Sequence, residues 1–390
     1  VVMAWFVWET EDISAAWMAL PLVSFLVLMI LHARIIRALE RAERAVSFYQ
    51  KGLARLAGRW AGAGDGGVRF LAEAHPYARD LDLFGEGSLF ELLCTTQTPW
   101  GARTLAEWLL SPGSKEAVVS RQAAVRELLE RLDLREELAI VDEEISAEVD
   151  PQSLVQWASS PPMLTSRAIR GMAFVLAVVS FAVVVGWLAS YVHRSVVLMV
   201  LAVEAIYAMW FRSRVEEVIA SADKPDRELG MLSRILDRLE GESFSSTTLI
   251  ELQQLLSVGG LSASRQIHRL RRLIELMDLR LNKMFTPVAM LLLWGTQFAF
   301  ALESWRSRSG PSVERWLKAL GAMEALMALA TFSYEHPDDP FPELADEGTL
   351  FEGEGIGHPL IQEGQLVRND VQLGEPLHLL VVSGSNMSGK

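Results

Sequence analysis

Residues 378–390 read HLLVVSGSNMSGK, an apolar run that leads into the pattern G-x-x-x-x-G-K. This order is typical of a P-loop, in which a buried strand is followed by a glycine-rich turn and a helix. The glycines let the backbone approach phosphate oxygens, and amides at the helix N-terminus face the negative charge. We therefore predict ATP as the ligand, with a Ser or Thr expected after the lysine to bind Mg²⁺. The predicted phosphate-binding residues are Gly384, Ser385, Asn386, Met387, Ser388, Gly389 and Lys390.

The residues before this motif predict the beginning of a separate α/β domain over 341–390. Proline and aspartate are concentrated in 336–342, which is typical of a linker. Strand-like pieces follow at 349–352, 366–368 and 378–382. Because the P-loop motif stops before its last residue, we expect the sequence to be a piece of a longer protein.

An uncharged apolar run at 14–31 has the length of a helix that crosses a bilayer. Acidic residues precede the run and arginines follow it, so the positive-inside rule places the N-terminus outside and the following chain in the cytoplasm. The alternative is a cleaved signal peptide, which expects positive charge before the run and small residues at a cleavage site. We predict a transmembrane anchor over 1–40, then an amphipathic helix and a glycine-rich linker over 41–78.

Two further apolar runs, 171–192 and 195–211, predict a transmembrane helical hairpin over 166–214. Arginines flank the pair on both sides, so both ends are expected in the cytoplasm. Glu204 falls near the middle of the second run. A carboxylate inside a membrane is a candidate functional site, and the alternative is a protonated or paired structural glutamate.

A fourth apolar run, 284–302, contains Pro287 and Gly295. One crossing plus a hairpin leaves the following chain in the cytoplasm. A fourth crossing would carry the predicted ATP site to the outside. We therefore predict a buried core helix or a membrane-surface helix for this run.

The remaining segments, 79–165 and 215–335, have apolar residues at the three- and four-residue spacing of helices. Ser114 is predicted to cap one helix and Asp133 the next. The stretch 265–283 is rich in arginine. It is either the solvated face of a long helix or a contact with a phosphate backbone or a membrane surface.

Composition excludes some classes of protein. A net charge of −13 excludes a globally basic nucleic-acid binder, although it allows a local basic face. The single cysteine, Cys94, cannot form an internal disulfide or a CxxC metal site, and we expect it to be a core thiol. The histidines show no metal-ligand spacing.

The P-loop and the residues before it resemble the MutS family of DNA mismatch-repair ATPases. The family's loop reads Gly-Pro-Asn-Met-Gly-Gly-Lys, and this chain has Ser385 and Ser388 in place of the proline and the middle glycine. A His-Pro-Leu element at 358–360 and an Asn-Asp step at Asn369 precede the loop, as they do in the family. The resemblance implies that Val367 and Asn369 lie near the adenine.

A second match to the same family lies far upstream. Residues 98–103 read TPWGAR, which is similar to the Thr-x-x-Gly-x-Arg turn of the family's core domain, and a Leu-Ser-Pro step follows at 110–112. The resemblance implies a mainly α fold with membrane helices, in which 79–165 form a MutS-like core and 215–335 form lever-type helices. The beginning of a C-terminal α/β P-loop ATPase domain completes the expected fold.

The chain also departs from the family's pattern. A mismatch-recognition domain precedes the core in the family, whereas here the membrane anchor occupies part of that region. Phe-Pro-Glu at 341–343 is similar to the family's wedge, but it lies in the linker and we treat it as coincidence. An apolar hairpin interrupts the helical region that carries the DNA clamp in the family.

The resemblance implies a membrane-tethered ATPase that uses ATP and Mg²⁺ and changes conformation with its nucleotide. Damaged, mismatched or branched DNA is the expected ligand, and the catalytic acid is expected outside this sequence. The family's ATPase region implies a homodimer through residues beyond Lys390. We expect a multi-pass protein of the inner cell membrane, in contact with lipid, with core and ATPase in the cytoplasm. The alternative is a membrane-coupled ATPase with a protein or lipid partner and no role on DNA.

Overall fold

The chain forms two compact units, Val1–Leu56 and Ala57–Lys390. Helices account for most of the part that this computed structural model describes, so the prediction of a mainly α fold is confirmed. The predicted phosphate-binding residues 384–390 lie outside the described residues. Those described are 19–72, 74–140, 151–164, 166–222, 226–257, 262–346, 348 and 350–381.

The described residues of the first unit form one helix, α1 (Ala19–Leu56). Apolar side chains such as Leu20, Phe25 and Leu28 are more than half exposed, and the helix is long and apolar enough to cross a membrane. It continues through residue 40 without a break. The predicted anchor and the predicted amphipathic helix are therefore parts of one helix in the described region.

The second unit is a helical bundle followed by a small sheet. Its described helices are α2 (Leu89–Leu93), α3 (Pro99–Leu110), α4 (Lys115–Leu129), α5 (Leu132–Ala139), α6 (Pro151–Ser159), α7 (Arg167–Leu188), α8 (Arg194–Ala222), α9 (Asp226–Glu240), α10 (Thr247–Leu256), α11 (Ala263–Asp278), α12 (Thr286–Leu291) and α13 (Trp294–Glu335).

Serine and threonine side chains begin several of these helices by accepting a hydrogen bond from the backbone amide three residues on. Ser114 caps α4 in this way, at 3.3 Å from the Ala117 nitrogen, so that prediction is confirmed. The prediction for Asp133 is wrong. Arg131 occupies the cap position of α5, and Asp133 lies inside the first turn, where its charge still favours the helix N-terminus.

Helix α13 is the centre of the second unit. Its 42 residues extend over about 63 Å at 1.5 Å per residue. Helices α3, α4, α6, α8, α10 and α11 all pack against it. Large side chains such as Trp305, Trp316 and Leu320 are buried on its inner face. One long helix, with Pro311 in its interior, thus contacts most of the bundle.

Helices α7 and α8 pack against each other as a hairpin, and both are long and apolar enough to cross a membrane. Small residues of α7 (Ala173, Ala177 and Ser180) are buried, which allows a close approach of the two helices. The Tyr207 hydroxyl donates to the Ile169 carbonyl at 2.9 Å and ties α8 to the beginning of α7. The outward side chains of both helices are exposed and apolar.

The run 284–302 is not one helix, so the prediction of a single helix there is wrong. Helix α12 ends at Leu291, and Leu293 adopts a left-handed backbone (φ 47°) before α13 begins. A non-glycine residue in this conformation reverses the direction of the chain and breaks a helix. Residues 294–302 form the buried beginning of α13, whereas Met284 and Met290 are exposed.

Two antiparallel strands, β1 (Phe351–Ile356) and β2 (Asn369–Leu373), follow the helices. The strand predicted at 349–352 overlaps the beginning of β1, whereas the strand predicted at 366–368 is wrong, because β2 begins at Asn369. Pairing between the strands rather than local composition sets these bounds. Residues 378–381 form no strand within the described chain. Their apolar side chains are exposed, and a strand needs a neighbour with which to pair.

Candidate functional site

The two residues predicted to lie near the adenine are neighbours at the beginning of β2. Val367 is 75% exposed, and the Asn369 side-chain amide donates to the Val367 carbonyl at 3.2 Å. Asp370 accepts a hydrogen bond from the Gly355 amide of β1 at 2.6 Å. Both residues are therefore exposed at the beginning of β2.

The N-terminus of α3 is bound by a carboxylate from α13. Thr98 caps α3 by accepting from the Gly101 amide at 3.3 Å. Glu324 accepts from the Gln97 amide at 3.1 Å and from the Thr98 amide at 3.2 Å, and the Thr98 hydroxyl also donates to it. The Glu324 side chain is buried. A carboxylate at a helix N-terminus satisfies free amides and interacts favourably with the helix dipole.

Burial changes the protonation of Glu324. Burial away from water raises the pKa of the Glu324 carboxyl group to about 7, although the hydrogen bonds from the α3 N-terminus oppose the increase. The contact between α3 and α13, which we name the Glu324 contact, therefore titrates near neutral pH. A proton bound there changes which partner donates in the hydrogen bond with Thr98.

Two glycines allow the backbones of α3 and α13 to approach closely. A Cβ at Gly101 would stand 2.5 Å from a Glu324 carboxylate oxygen. A Cβ at Gly321 would stand 2.7 Å from the Trp100 carbonyl oxygen and 2.8 Å from Thr104 Oγ1. Real Cβ atoms do not come this close to backbone oxygens, so any larger residue at these positions must separate the helices.

The opposite half of α13 contacts the segment that leads into the hairpin. Arg306 and Glu303 form a buried ion pair, with Nη2 donating to Oε2 at 3.0 Å. The same Arg306 nitrogen donates to the Pro161 carbonyl at 2.8 Å, and the Met163 amide donates to Glu303 at 2.7 Å. We name this set of contacts the hairpin root. These hydrogen bonds attach the chain that enters α7 to α13, although Arg306 Nε and Glu303 Oε1 are buried without a hydrogen-bond partner among the described residues.

The segment that follows α13 is bound to α4. The Arg126 guanidinium lies 4.4 Å from the centre of the Phe341 ring, which also packs against the main core. The Gln122 amide donates to the Pro342 carbonyl at 2.9 Å. The predicted linker therefore leaves the bundle along a defined path, and Phe341 acts in packing.

Comparison with known proteins shows what this bundle resembles. Residues 78–162, which contain α2–α6 and the capped N-terminus of α3, match the family model described as MutS domain III. Residues 78–162 are therefore similar to the MutS family. The resemblance predicted from the sequence is thereby confirmed. The matched MutS domain III supplies the α3 side of the Glu324 contact, and α13 lies outside the matched residues.

Two curated relatives carry the name DNA mismatch repair protein MutS. The protein from Chlorobaculum parvum is 56% identical over 52 residues, which is 13% of this chain and 6% of the relative. The protein from Methanothrix thermoacetophila is 46% identical over 54 residues, or 14% of this chain and 6% of the relative. The matches thus span about one sixteenth of each relative's length. No solved structure matches the chain.

Glu204 lies outside residues 78–162 and takes no part in the Glu324 contact. It lies within the hairpin, where its side chain and Ser180 are both buried, and neither side chain has a hydrogen-bond partner among the described residues. They are two buried polar side chains within a mostly apolar hairpin. Glu204 thus lies apart from the other candidate residues.

The remaining candidates from the sequence lie apart from these contacts. Burial raises the pKa of the Cys94 thiol to about 11, so it is protonated at neutral pH and is a poor nucleophile. On α11, Arg265, His268, Arg269 and Arg272 are exposed while the opposite face is buried, as expected for the solvated face of a helix. The described residues contain no cluster of His, Cys, Asp and Glu that could hold a metal ion.

Sequence reasoning missed Glu324 and the hairpin root. A signal for each exists, because Glu324 is a single carboxylate in an apolar stretch of α13, and Glu303 lies three residues before Arg306 on one helix face. Neither signal identifies its partner. The partners of Glu324 are 226 and 227 residues away in the chain.

Proposed function

We propose that this MutS-like chain is part of a membrane-tethered ATPase that acts on mismatched, damaged or branched DNA. The observation that carries the proposal is the double attachment of α13. One half binds the N-terminus of α3 through the Glu324 contact, and the other half binds the hairpin root. A change in angle at one end of a continuous helix of this length would reach the other end through the turn that contains Pro311.

The nucleotide site of the proposal rests on the sequence of residues 384–390. Their amides would surround the phosphates and Lys390 would neutralise negative charge, while Val367 and Asn369 would contact the adenine. Mg²⁺, when bound, would neutralise charge on the β- and γ-phosphates. ATP binding would shift the population between two angles of α13, because the linker at 341–342 joins the nucleotide domain to α4.

Membrane tethering is proposed from three helices that are long and apolar enough to span a bilayer, namely α1, α7 and α8. The arginines that follow α1 and flank the hairpin favour a cytoplasmic position for the bundle and the ATP site in the inner cell membrane. A homodimer through the ATPase region is the assembly that the family resemblance supports.

A second candidate function keeps the ATPase and omits DNA. The hairpin root favours it, since hydrogen bonds from Arg306 to the Pro161 carbonyl and from the Met163 amide to Glu303 join α13 to the segment just before α7. In this alternative the hairpin acts on a protein or lipid partner. The acidic net charge of −13 is consistent with weak attraction to nucleic acid.

Measurement of ATP turnover distinguishes the two functions. The full-length protein in detergent is assayed alone and with homoduplex, mismatched duplex or branched DNA, at low and high salt. Stimulation by one DNA form that declines steeply with salt is expected for the first function, because phosphate contacts release counterions. Turnover that is indifferent to every DNA would favour the second function. The absence of any turnover would contradict both.

A further inference from the structure

The segment between α11 and α13 exposes apolar side chains. This segment, residues 279–291, contains a 3₁₀ turn (Leu279–Leu281) and α12. Leu281 and Met290 are each 71% exposed, and Met284 is 89% exposed. No element of the described chain covers these side chains. Three large apolar groups in water on one short segment indicate a contact surface.

The segment is held beside the proposed membrane hairpin. Helix α12 packs against α7, the first helix of the hairpin. Just beyond it, the position that a Cβ of Gly295 would occupy lies 3.8 Å from Ile219 of α8. If the hairpin spans a bilayer, α12 lies against a membrane-spanning helix, and the left-handed turn at Leu293 returns the chain to the bundle.

An aromatic cluster fixes the segment at this place. The Trp294 ring contacts Phe285, with ring centres 5.0 Å apart, and Phe298, with ring centres 4.7 Å apart. The Trp294 Nε1 donates to the Leu276 carbonyl at 2.7 Å. The exposed methionines are therefore presented from a supported turn. Tryptophan with one polar end and one apolar end is typical of the membrane interface.

The charge of the segment indicates the kind of surface that it contacts. Residues 279–302 contain Arg280 and Lys283 and no acidic residue, in a chain whose net charge is −13. Lys283 is exposed next to Met284. Exposed apolar groups next to positive charge are the combination that binds anionic lipid headgroups, because each contributes separately to interfacial binding.

We propose that residues 279–291 insert Leu281, Met284 and Met290 shallowly into the cytoplasmic face of an anionic bilayer without crossing it. This inference rests on the proposed membrane span of the hairpin. It adds a second membrane contact on the chain that leads directly into α13. A nucleotide-dependent movement of α13 would then move this segment at the lipid surface as well as the hairpin root.

The test uses nitroxide labels on the full-length protein in phosphatidylcholine vesicles, with and without phosphatidylglycerol. Single cysteines replace Met284 or Met290 in a Cys94→Ser background, and contact with dissolved oxygen and with a water-soluble nickel chelate reports the depth of the label. The two controls replace valines that are each about half exposed, namely Val178→Cys on the outer face of α7 and Val119→Cys on α4. Lys283→Glu is added to each segment variant to test the role of charge.

We expect labels at 284 and 290 at headgroup depth, the label at 178 deep in the hydrocarbon, and the label at 119 in water. We also expect Lys283→Glu to reduce the depth at 284 and 290 only in vesicles that contain phosphatidylglycerol. Aqueous labels at 284 and 290 with a deep label at 178 would overturn this inference and leave the hairpin span intact. An aqueous label at 178 would contradict the hairpin span itself. Spin–spin broadening at 284 without lipid contact would show that a second copy covers the segment, which also overturns the inference.

Discussion

Replacement of Glu324 by glutamine should remove a pH dependence of stability that the buried carboxyl group introduces. Its pKa is about 7 in the folded chain and 4.5 in its ordinary state. Because the folded state holds the proton more tightly than the unfolded state, the contribution of Glu324 to stability is fully present below about pH 4.5 and is lost as the pH rises toward about 7. The two pKa values differ by about 2.5, and each pKa unit corresponds to about 1.4 kcal/mol, so the loss is about 3 kcal/mol.

Glutamine reproduces the neutral form, since its carbonyl oxygen can accept from the amides of Gln97 and Thr98 and its amide group can donate to the Thr98 hydroxyl. The full-length protein in detergent is unfolded by heat across a pH series, with tryptophan fluorescence as the signal, to which the buried Trp100 contributes. The difference in melting temperature between Glu324→Gln and the wild type should increase toward neutral pH and then stay constant. Glu314→Gln, at an exposed position on the same helix, is the control and should run parallel to the wild type.

A difference between Glu324→Gln and the wild type that is independent of pH would refute this reasoning. It would mean that the pKa of the carboxyl group is the same in the folded and the unfolded chain, so that the amides of α3 offset the cost of burial. A difference that increases toward acid pH would mean that the amides outweigh the cost of burial and lower the pKa in the folded chain.

The other predictions concern packing, a buried ion pair and a thiol. Gly321→Ala should destabilise the bundle by about 1–3 kcal/mol, because its Cβ would overlap backbone oxygen, whereas Gly364→Ala meets nothing within 4 Å and should unfold like the wild type in urea. Arg306→Ala should cost about 3–5 kcal/mol in the same assay, since it leaves Glu303 buried and unpaired, and the double variant Glu303→Gln/Arg306→Met should recover part of the loss. If Arg306→Ala is no worse than Lys318→Ala, which breaks an exposed pair, the hairpin root does not hold α13. Alkylation of Cys94 by iodoacetamide should accelerate about tenfold per pH unit up to about pH 11, and a plateau near pH 8 would contradict the raised pKa.

Local signals in the sequence predicted local structure. Ser114 began a helix as expected, because a cap depends on residues three positions apart. The apolar runs predicted the hairpin helices, since length and hydropathy alone determine whether a helix can span a bilayer. The TPWGAR turn correctly predicted the resemblance to the MutS family. The structure adds a physical reason for Gly101, because a larger residue there would collide with the Glu324 carboxylate.

Features that depend on tertiary contacts were not predictable. The run 284–302 has a continuous apolar composition, yet the backbone at Leu293 divides it, and no propensity of leucine indicates a left-handed residue. The strand predicted at 366–368 was wrong because β2 pairs with β1 in a register that the pattern does not encode. Glu324 remained unnoticed because its partners belong to a different helix far away in the chain.

The central claim, a MutS-type ATPase tethered to a membrane, is tested most directly by ATP turnover of the full-length protein in lipid bilayers, comparing wild type, Lys390→Ala and Lys318→Ala. Lys390 would neutralise phosphate charge, whereas Lys318 is an exposed lysine on α13. We predict that Lys390→Ala abolishes turnover and that Lys318→Ala retains it. Unchanged turnover in Lys390→Ala would contradict the assignment of the P-loop and with it the proposed function.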